Sequence, residues 1–149
     1  MLLAQSYEEA REYDKAIDRY RKILAVNPNE PIALNNLAYG LAVRKGQPAE
    51  AIGYAERALT LTRGSATVAD TLAWVQHLLG RDREAAQLLA GAVKALPANA
   101  EVRMHAAAVY AAIGMLEPAA NELAEALRLD PSLATNAEVK ALQGKLGKK

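Results

Sequence analysis

The sequence has no cysteine, no phenylalanine and a single tryptophan in 149 residues. Without cysteine, the chain cannot form disulfide bonds or bind a metal ion through thiolates. Aromatic residues make up 5% of the chain, whereas hydrophobic residues, mostly alanine and leucine, make up 52%. Alanine and leucine favour helices, and sheets are usually rich in aromatic and β-branched residues. The composition therefore predicts an all-α protein.

The sequence also lacks a strong excess of charge and any long hydrophobic run. Its formal net charge is +1, which disfavours nucleic acid and anionic membranes as partners. No hydrophobic stretch approaches the ~20 residues that a membrane-spanning helix needs. The start of the chain lacks the basic residues and the apolar core of a signal peptide. We therefore expect no direct membrane insertion and a cytoplasmic chain as given, or a periplasmic one if a longer parent protein carries a signal peptide.

Residues 64–97 are the clearest copy of a repeated unit. Two helical patterns, each with apolar residues at the spacing of one helix face, are separated by a short break at residues 79–82. Gly80 can end the first helix in a left-handed conformation, and Pro97 ends the second. A single pair of helices cannot bury its apolar face alone, so the pattern predicts neighbouring copies.

Neighbouring copies are present at a constant interval. Three series of residues recur every 34 positions: Gly46, Gly80 and Gly114; Ala51, Ala85 and Ala119; and Ala58, Ala92 and Ala126. Ala16 precedes Ala51 by 35 residues, so one residue is inserted, and we place it at residues 43–45. Four copies with the same residue types in the same positions predict a stack of helical hairpins.

The period and the residue types resemble the tetratricopeptide repeat family, and bacterial members in particular. The positions typical of that family hold Leu3, Ala4, Tyr7, Ala16, Tyr20 and Pro28; then Leu37, Ala38, Gly46, Ala51, Ala55 and Ala58; then Leu72, Ala73, Gly80, Ala85, Leu89, Ala92 and Pro97; and then Ala106, Ala107, Tyr110, Gly114, Ala119, Leu123, Ala126 and Pro131. Four residues depart from the pattern: Arg11 replaces Gly, Arg63 replaces Pro, Gln76 replaces an aromatic residue and Arg103 replaces an apolar one. The resemblance covers nearly the whole chain and implies a right-handed α-solenoid.

The resemblance implies a single domain over residues 1–149. Its four helical hairpins would occupy residues 1–30, 31–65, 66–99 and 100–133, and the first hairpin would be truncated. A capping helix over residues 135–146 would cover the last hairpin with a narrow apolar stripe of Val139, Leu142 and Leu146. The final residues, 147–149, are expected to fray.

Individual residues predict helix ends and close contacts. Asp14 and Asn99 are expected to cap the helices that begin at residues 15 and 100. Gly40 would lie inside a helix over residues 31–44, and Gly53 inside the next helix. A glycine there costs about 0.5–1 kcal/mol, which indicates a close backbone contact at each.

The first helices of successive hairpins line a concave groove in this family, and the resemblance implies that function lies there. The groove positions of this chain hold Asn35, Asn36, Tyr39, Asp70, Thr71, Trp74, His77, Met104, His105 and Ala108. Gln5 and Glu8 belong to the truncated first copy. Amides can bond an extended backbone, and rings offer contact area. We therefore expect the groove to bind a peptide or a segment of another protein.

Several of these residues have alternative interpretations. Trp74 and Tyr39 can pack against neighbouring helices, and Asp70 and His105 can form a structural ion pair. A zinc site at His77 and His105 is disfavoured, because their positions within the repeat differ by six residues, roughly 9 Å along a helix. Both ring nitrogens would have to lie roughly 2.0–2.1 Å from the ion. We predict no metal and no cofactor.

The sequence lacks the residues that two other functions, chaperone binding and catalysis, would need. Chaperone-binding members of the family hold a partner's C-terminus with basic residues and an asparagine. Asn36 fills the asparagine position, but Gln5, Thr67 and Thr71 fill the basic ones. No Ser-His-Asp arrangement, Gly-rich phosphate loop or HExxH motif occurs, so we predict that the chain is not an enzyme.

The leading hypothesis is a scaffold or adaptor that binds another protein in its groove. The alternative is an assembly unit that stacks with itself, or with further repeats, through its ends. Leu2, Leu3 and Tyr7 form an apolar edge with no upstream helix to cover it, which predicts weak self-association through residues 1–24.

Overall fold

A computed structural model describes residues 1–147, and these form helices and turns without a strand. The first compact unit, Met1–Gly80, contains α1 (Leu2–Glu9), α2 (Tyr13–Val26), α3 (Pro31–Tyr39), a π-helical segment (Gly40–Arg44), α4 (Pro48–Leu61) and α5 (Ala66–Leu78). The second unit, Arg81–Lys149, contains α6 (Asp82–Ala95), α7 (Ala100–Ala112), α8 (Leu116–Leu129), a 3-10 segment (Pro131–Thr135) and α9 (Ala137–Leu146). The predicted all-α fold of helical hairpins is confirmed, whereas the single-domain organisation stays a prediction.

The described residues bear on two of the predictions, those on membrane insertion and on the fraying of the C-terminal residues. No helix among residues 1–147 is both long and apolar enough to cross a membrane. Of the residues expected to fray, Lys148 and Lys149 lie outside the described residues.

The first unit is built from two helical hairpins and one further helix. Helix α1 packs against α2, α3 packs against α4, and α5 packs against both α3 and α4. A cluster of Leu34, Ala58 and Val68 fills the space between α3, α4 and α5. Ala51 and Ala55 are fully buried on α4, and their small side chains let neighbouring helices approach closely.

The inserted residue forms a π-helical turn at the end of the first helix of the second hairpin. Helix α3 ends at Tyr39, and the amide of Lys45 bonds the carbonyl of Gly40 at 3.2 Å. Because a π-helical hydrogen bond spans one residue more than an α-helical bond, this turn absorbs the insertion. The predicted helix over residues 31–44 is therefore present, but its last five residues are π-helical, and this segment overlaps the predicted insertion at residues 43 and 44.

The two glycines inside helices have different surroundings. A Cβ atom at Gly40 would lie 3.0 Å from Cγ1 of Ile17 on α2, so the predicted close contact is confirmed there. A Cβ atom at Gly53 would meet no atom within 4 Å. The predicted close contact at Gly53 is therefore wrong, and no packing offsets the cost of that glycine to α4.

The two predicted helix caps also differ in outcome. Oδ1 of Asn99 accepts a hydrogen bond from the amide of Val102 at 3.1 Å, which confirms the cap of α7. Helix α2 begins at Tyr13, before the predicted start, and Asp14 lies in its first turn. The predicted Asp14 cap is therefore wrong, because the cap position falls on Glu12, whose side chain forms no cap bond.

The second unit has its core between α7, α8 and α9. Met104, Ala107, Ala119, Leu123 and the α9 residues Val139 and Leu142 belong to one buried cluster, against which Leu146 also packs. Nζ of Lys145 on α9 donates a hydrogen bond to the carbonyl of Ala111 at the end of α7, at 3.0 Å. Helix α9 thus covers the last hairpin with the predicted apolar stripe.

Arg103 occupies a position that is usually apolar, and its partners explain how the fold tolerates it. Its guanidinium forms an ion pair with Glu122 on α8, and the two side chains are only 15% and 20% exposed. Nε of Arg103 also donates to the carbonyl of Pro97 at 2.7 Å. Because the buried charge is paired and hydrogen-bonded, its desolvation is compensated.

Candidate functional site

Two of the three predicted site residues on α3, Asn35 and Asn36, begin a series of hydrogen-bonded side chains that continues to Tyr20 and Glu8, and we call this series the polar row. Asn35, Asn36 and Tyr39 are half-buried. Nδ2 of Asn35 donates to Oδ1 of Asn36 at 3.3 Å, and Nδ2 of Asn36 donates to the hydroxyl of Tyr20 at 3.0 Å. Tyr20 lies on α2 and is fully buried. The structure therefore holds the Asn36 amide in a fixed orientation.

The polar row ends on the carboxylate of Glu8, which the sequence analysis assigned to the truncated first copy of the repeat. The Tyr20 hydroxyl donates to the half-buried Glu8 of α1. Burial raises the pKa of the Glu8 carboxyl above its ordinary value, against the hydrogen bond from Tyr20 and the charge of Arg44, which lower it. Burial also raises the pKa of the Tyr20 hydroxyl. Each group donates to the next, so that the bonds polarise one another.

The other end of the polar row carries an unused acceptor. Oδ1 of Asn35 is buried and has no hydrogen-bond partner among the described residues. A buried acceptor without a donor costs about 1–3 kcal/mol. The row therefore starts at an atom that would gain from an additional donor.

The predicted site residues on α5 are mostly inside the protein. Asp70, Thr71 and Trp74 are 8%, 6% and 5% exposed, respectively. His77 is half-buried, and its ring centroid lies 4.9 Å from that of Trp74. This burial favours the interpretation that Trp74 packs within the protein, and its role in binding stays a prediction.

The predicted site residues of the second unit are close to its core. Met104 is 6% exposed and belongs to the buried cluster that α9 covers, and the half-buried Ala108 packs against that cluster. His105 is 2% exposed. These three side chains offer little surface to a partner in this conformation, so their binding role also stays a prediction.

A stacked arginine beside α3 was not predicted from the sequence. The Arg44 guanidinium lies 4.4 Å from the ring centroid of Tyr13 and 5.7 Å from that of Tyr39. Arg44 is the last residue of the π-helical segment, where the one-residue insertion lies. The 35-residue interval was the available signal, but it did not show which side chains would meet there.

The turn between α1 and α2 is the second feature that differs from the other hairpins. Arg11 has a φ of 59°, in the left-handed region, where the later hairpins have Gly46, Gly80 and Gly114 with φ between 63° and 83°. A side chain in this region costs roughly 1–2 kcal/mol, which glycine avoids. The fold thus retains a strained arginine at this turn.

The raised pKa of Glu8 predicts that stability depends on its protonation. A raised pKa in the folded protein means that the stabilisation is present below pH 4.5, the ordinary value, and is lost as the pH rises through the folded value. We therefore expect Glu8→Gln, which keeps an acceptor for Tyr20, to become more stable relative to the unmodified protein between pH 4.5 and pH 7. Urea unfolding at both pH values measures this difference.

The exposed Glu9 provides the control for this comparison, because Glu9→Gln removes the same charge from the surface of the same helix. An equal effect of Glu8→Gln at the two pH values would show that burial does not govern the Glu8 carboxyl.

The described residues contain no evident place for a metal ion. No group of three or more His, Cys, Asp or Glu side chains suited to a metal lies among residues 1–147.

Comparisons with known proteins agree with the helical hairpins. Residues 1–66 match the tetratricopeptide repeat family model, and no curated protein matches the sequence. Among solved structures, MamA from Desulfovibrio magneticus RS-1 is 18% identical, with 98% of this chain and 88% of that chain covered and a TM-score of 0.71.

Two further structures have the same fold. YrrB, described as a tetratricopeptide repeat protein with an unusual peptide-binding site, is 21% identical, with 96% of this chain and 80% of that chain covered and a TM-score of 0.68. The type IV pilus biogenesis factor PilW is 18% identical, with 96% of this chain and 73% of that chain covered and a TM-score of 0.72. Residues 1–66 thus match the tetratricopeptide repeat family, and the described residues have the fold of YrrB, MamA and PilW.

Proposed function

We propose that the chain is a scaffold that binds an extended segment of another protein on the surface of α3 and α5 in the first unit. The observation that carries this proposal is the unused acceptor Oδ1 of Asn35, at the start of the polar row that ends on Glu8. An extended segment presents backbone amide donors at regular intervals. One such donor would satisfy Oδ1 once the Asn35 side chain turns outward, which exposes the buried oxygen and gives up the bond to Asn36.

The neighbouring side chains suit a peptide better than a small polar ligand. Tyr39 and His77 are half-buried, so each exposes part of a ring that can contact a partner's side chain. Helices α3 and α5 pack against each other, which places these rings on adjacent elements. YrrB, a tetratricopeptide repeat protein with an unusual peptide-binding site, has the same fold and supports this choice of ligand class.

The test uses peptides selected on the full chain from a phage-displayed random library. The selected peptides are synthesised, and their affinities are measured by fluorescence anisotropy. We expect Asn35→Ala to weaken binding about tenfold, which corresponds to the loss of one hydrogen bond of about 1.4 kcal/mol. The same change removes both the unused acceptor and the bond from Nδ2 to Oδ1 of Asn36, and because these two effects oppose each other, the free energy of unfolding should change little.

Asn35 is the most informative position for this change. Asn36→Ala would also break the bond to Tyr20, and Trp74→Ala would open a cavity where a buried ring now lies. The control is Glu56→Ala, an exposed position on α4, which should leave the affinity unchanged. Equal affinities of Asn35→Ala and the unmodified chain would place the peptide on a different surface.

Self-association is a second candidate function, supported by a different observation. Leu2 and Leu3 on α1 are 82% and 45% exposed, and a surface with adjacent exposed leucines favours contact with another molecule. A second copy that contacts residues 1–24 would cover them. Sedimentation velocity at rising concentration should then detect a dimer that Leu3→Glu abolishes, whereas a monomer at every concentration would refute this candidate.

A further inference from the structure

An open depression lies at the turn of the first hairpin, away from the polar row of α3. It has a volume of about 510 Å³ and is lined by residues of the α1–α2 turn, the start of α2 and the end of the π-helical segment. Its lining includes four basic side chains, Arg11, Lys15, Arg44 and Lys45, and two acidic ones, Glu12 and Asp14. The depression therefore has a formal charge of +2 in a chain whose total net charge is +1.

Two aromatic neighbours hold the Arg44 guanidinium in an orientation that suits oxyanion binding. The Tyr13 and Tyr39 rings contact the guanidinium, and stacking on rings restricts its orientation. Its N–H groups form no hydrogen bond with a described residue, although the Glu8 charge acts on it from a distance. A guanidinium with a covered face and free edges matches the planar geometry of a carboxylate or the oxygens of a phosphate.

Arg11 supplies a second guanidinium to the same depression. Its side chain is exposed, and its guanidinium, unlike its backbone amide, forms no hydrogen bond or ion pair with the described residues. Its left-handed backbone, φ 59°, is strained for an arginine, and such strain is frequent at binding sites. Glycine at this position would adopt the left-handed backbone without strain, as it does in the other turns, but it would remove the positive charge.

The two lysines of the depression can change partners at little cost. Lys15 pairs with Glu12 at 2.8 Å, and Lys45 pairs with Asp14 at 2.5 Å. All four side chains are at least 40% exposed, and exposed ion pairs contribute little to stability. A bound anion could therefore recruit either ammonium group.

The two carboxylates limit the kind of anion that fits. Glu12 and Asp14 would repel the successive phosphates of a nucleic acid, which needs an extended basic surface. One oxyanion group, held by Arg44 and Arg11, avoids this repulsion. The size of the depression and the ring of Tyr13 leave room for the atoms to which that group is attached.

From this geometry we infer a binding site for a single oxyanion, a phosphate or a carboxylate, on a side chain of a partner peptide. Arg44 binds the oxyanion through its free edge, Arg11 contacts a second oxygen, and Lys15 and Lys45 add positive charge. This site shares the Tyr39 ring with the α3 and α5 surface, but its charged groups lie on other elements, and it does not require a peptide bound to that surface.

The test uses the full chain and three peptides, acetyl-Gly-Ala-Xaa-Ala-Gly-amide, with phosphoserine, glutamate or serine at Xaa. Binding is followed by the NMR signals of the arginine Nε–H groups at low salt, and inorganic phosphate serves as a fourth ligand. We expect the phosphoserine peptide to bind at least tenfold more tightly than the serine peptide, with the glutamate peptide between them. Affinity should fall as salt is added.

Two variants separate recognition from folding. Arg11→Gly should lower the affinity for the phosphoserine peptide several-fold while the melting temperature stays equal or rises, because glycine relieves the backbone strain. Arg44→Lys keeps the charge but loses the planar fork, and should lower affinity about tenfold. Arg83→Gln, an exposed position on α6, should have no effect.

Three results would overturn the inference. The first is equal binding of the serine and phosphoserine peptides. The second is unchanged affinity in Arg11→Gly, a variant whose folding is not in question. The third is inorganic phosphate binding as tightly as the phosphoserine peptide, which would identify a free anion as the ligand.

Discussion

Tyr20→Ala is expected to lower the free energy of unfolding by about 3–5 kcal/mol, the cost of removing a large buried ring. Tyr20 is fully buried on α2, and its hydroxyl connects Asn36 of α3 with Glu8 of α1. The change therefore removes packing and both hydrogen bonds in one step. Urea unfolding followed by circular dichroism measures the loss.

Tyr20→Phe separates these two contributions. It keeps the ring and removes only the hydroxyl, so we expect a loss of about 0.5–1.5 kcal/mol for each hydrogen bond that the hydroxyl makes. If Tyr20→Ala were no more destabilising than Tyr20→Phe, the ring would contribute no packing energy, and its burial between the hairpins would not support the fold.

Ala85→Leu should destabilise the second unit by about 1–3 kcal/mol, because the larger side chain has no space. Ala85 on α6 is fully buried, and it occupies the position that Ala51 and Ala119 fill in the neighbouring repeats. Both of these alanines are also fully buried. Thermal unfolding of the variant should show a lower midpoint.

Ala90→Leu is the matched control for this overpacking. Ala90 lies on the same helix but is exposed, so the added atoms meet solvent and the midpoint should stay nearly unchanged. Equal midpoints for Ala85→Leu and the unmodified chain would show that α6 can move to accommodate the larger side chain.

The repeated helices could be predicted because their determinants are local in the sequence. The 34-residue interval aligns Gly80 and Gly114 at positions where the backbone is left-handed, and these glycines end the preceding helices. The recurring alanines mark the close contacts between helices. The recurring glycines and alanines are recognised by residue type and spacing alone, and both can be read directly from the sequence.

The departures depend on neighbours that spacing does not specify. Gly40 and Gly53 are both predicted to lie inside helices, yet only Gly40 faces a side chain, that of Ile17. Trp74 was assigned to the groove by its position in the repeat, but its 5% exposure depends on how the surrounding helices pack. Periodicity predicts which face of a helix a residue occupies, and packing determines how much of that face remains exposed.

Of the candidate site, the sequence could predict the helix that carries three of its residues. Asn35, Asn36 and Tyr39 lie together on α3 as a half-buried group, although their role in binding remains to be tested. The stacking of Arg44 on Tyr13 could not be predicted, because Arg44 lies in the π-helical turn, where the one-residue insertion lies. A one-residue insertion can be placed at several positions with equal agreement with the repeat pattern.

The π-helical segment has a consequence for how such a chain can vary. One residue added to a regular helix rotates everything beyond it by about 100°, but here the change is confined to Gly40–Arg44, and α4 follows with its buried alanines in place. A single-codon insertion at this point can therefore present new side chains at the end of the first helix of a hairpin without disturbing the core. Length variation at helix ends would then be a source of new recognition surfaces in proteins whose period is otherwise constant.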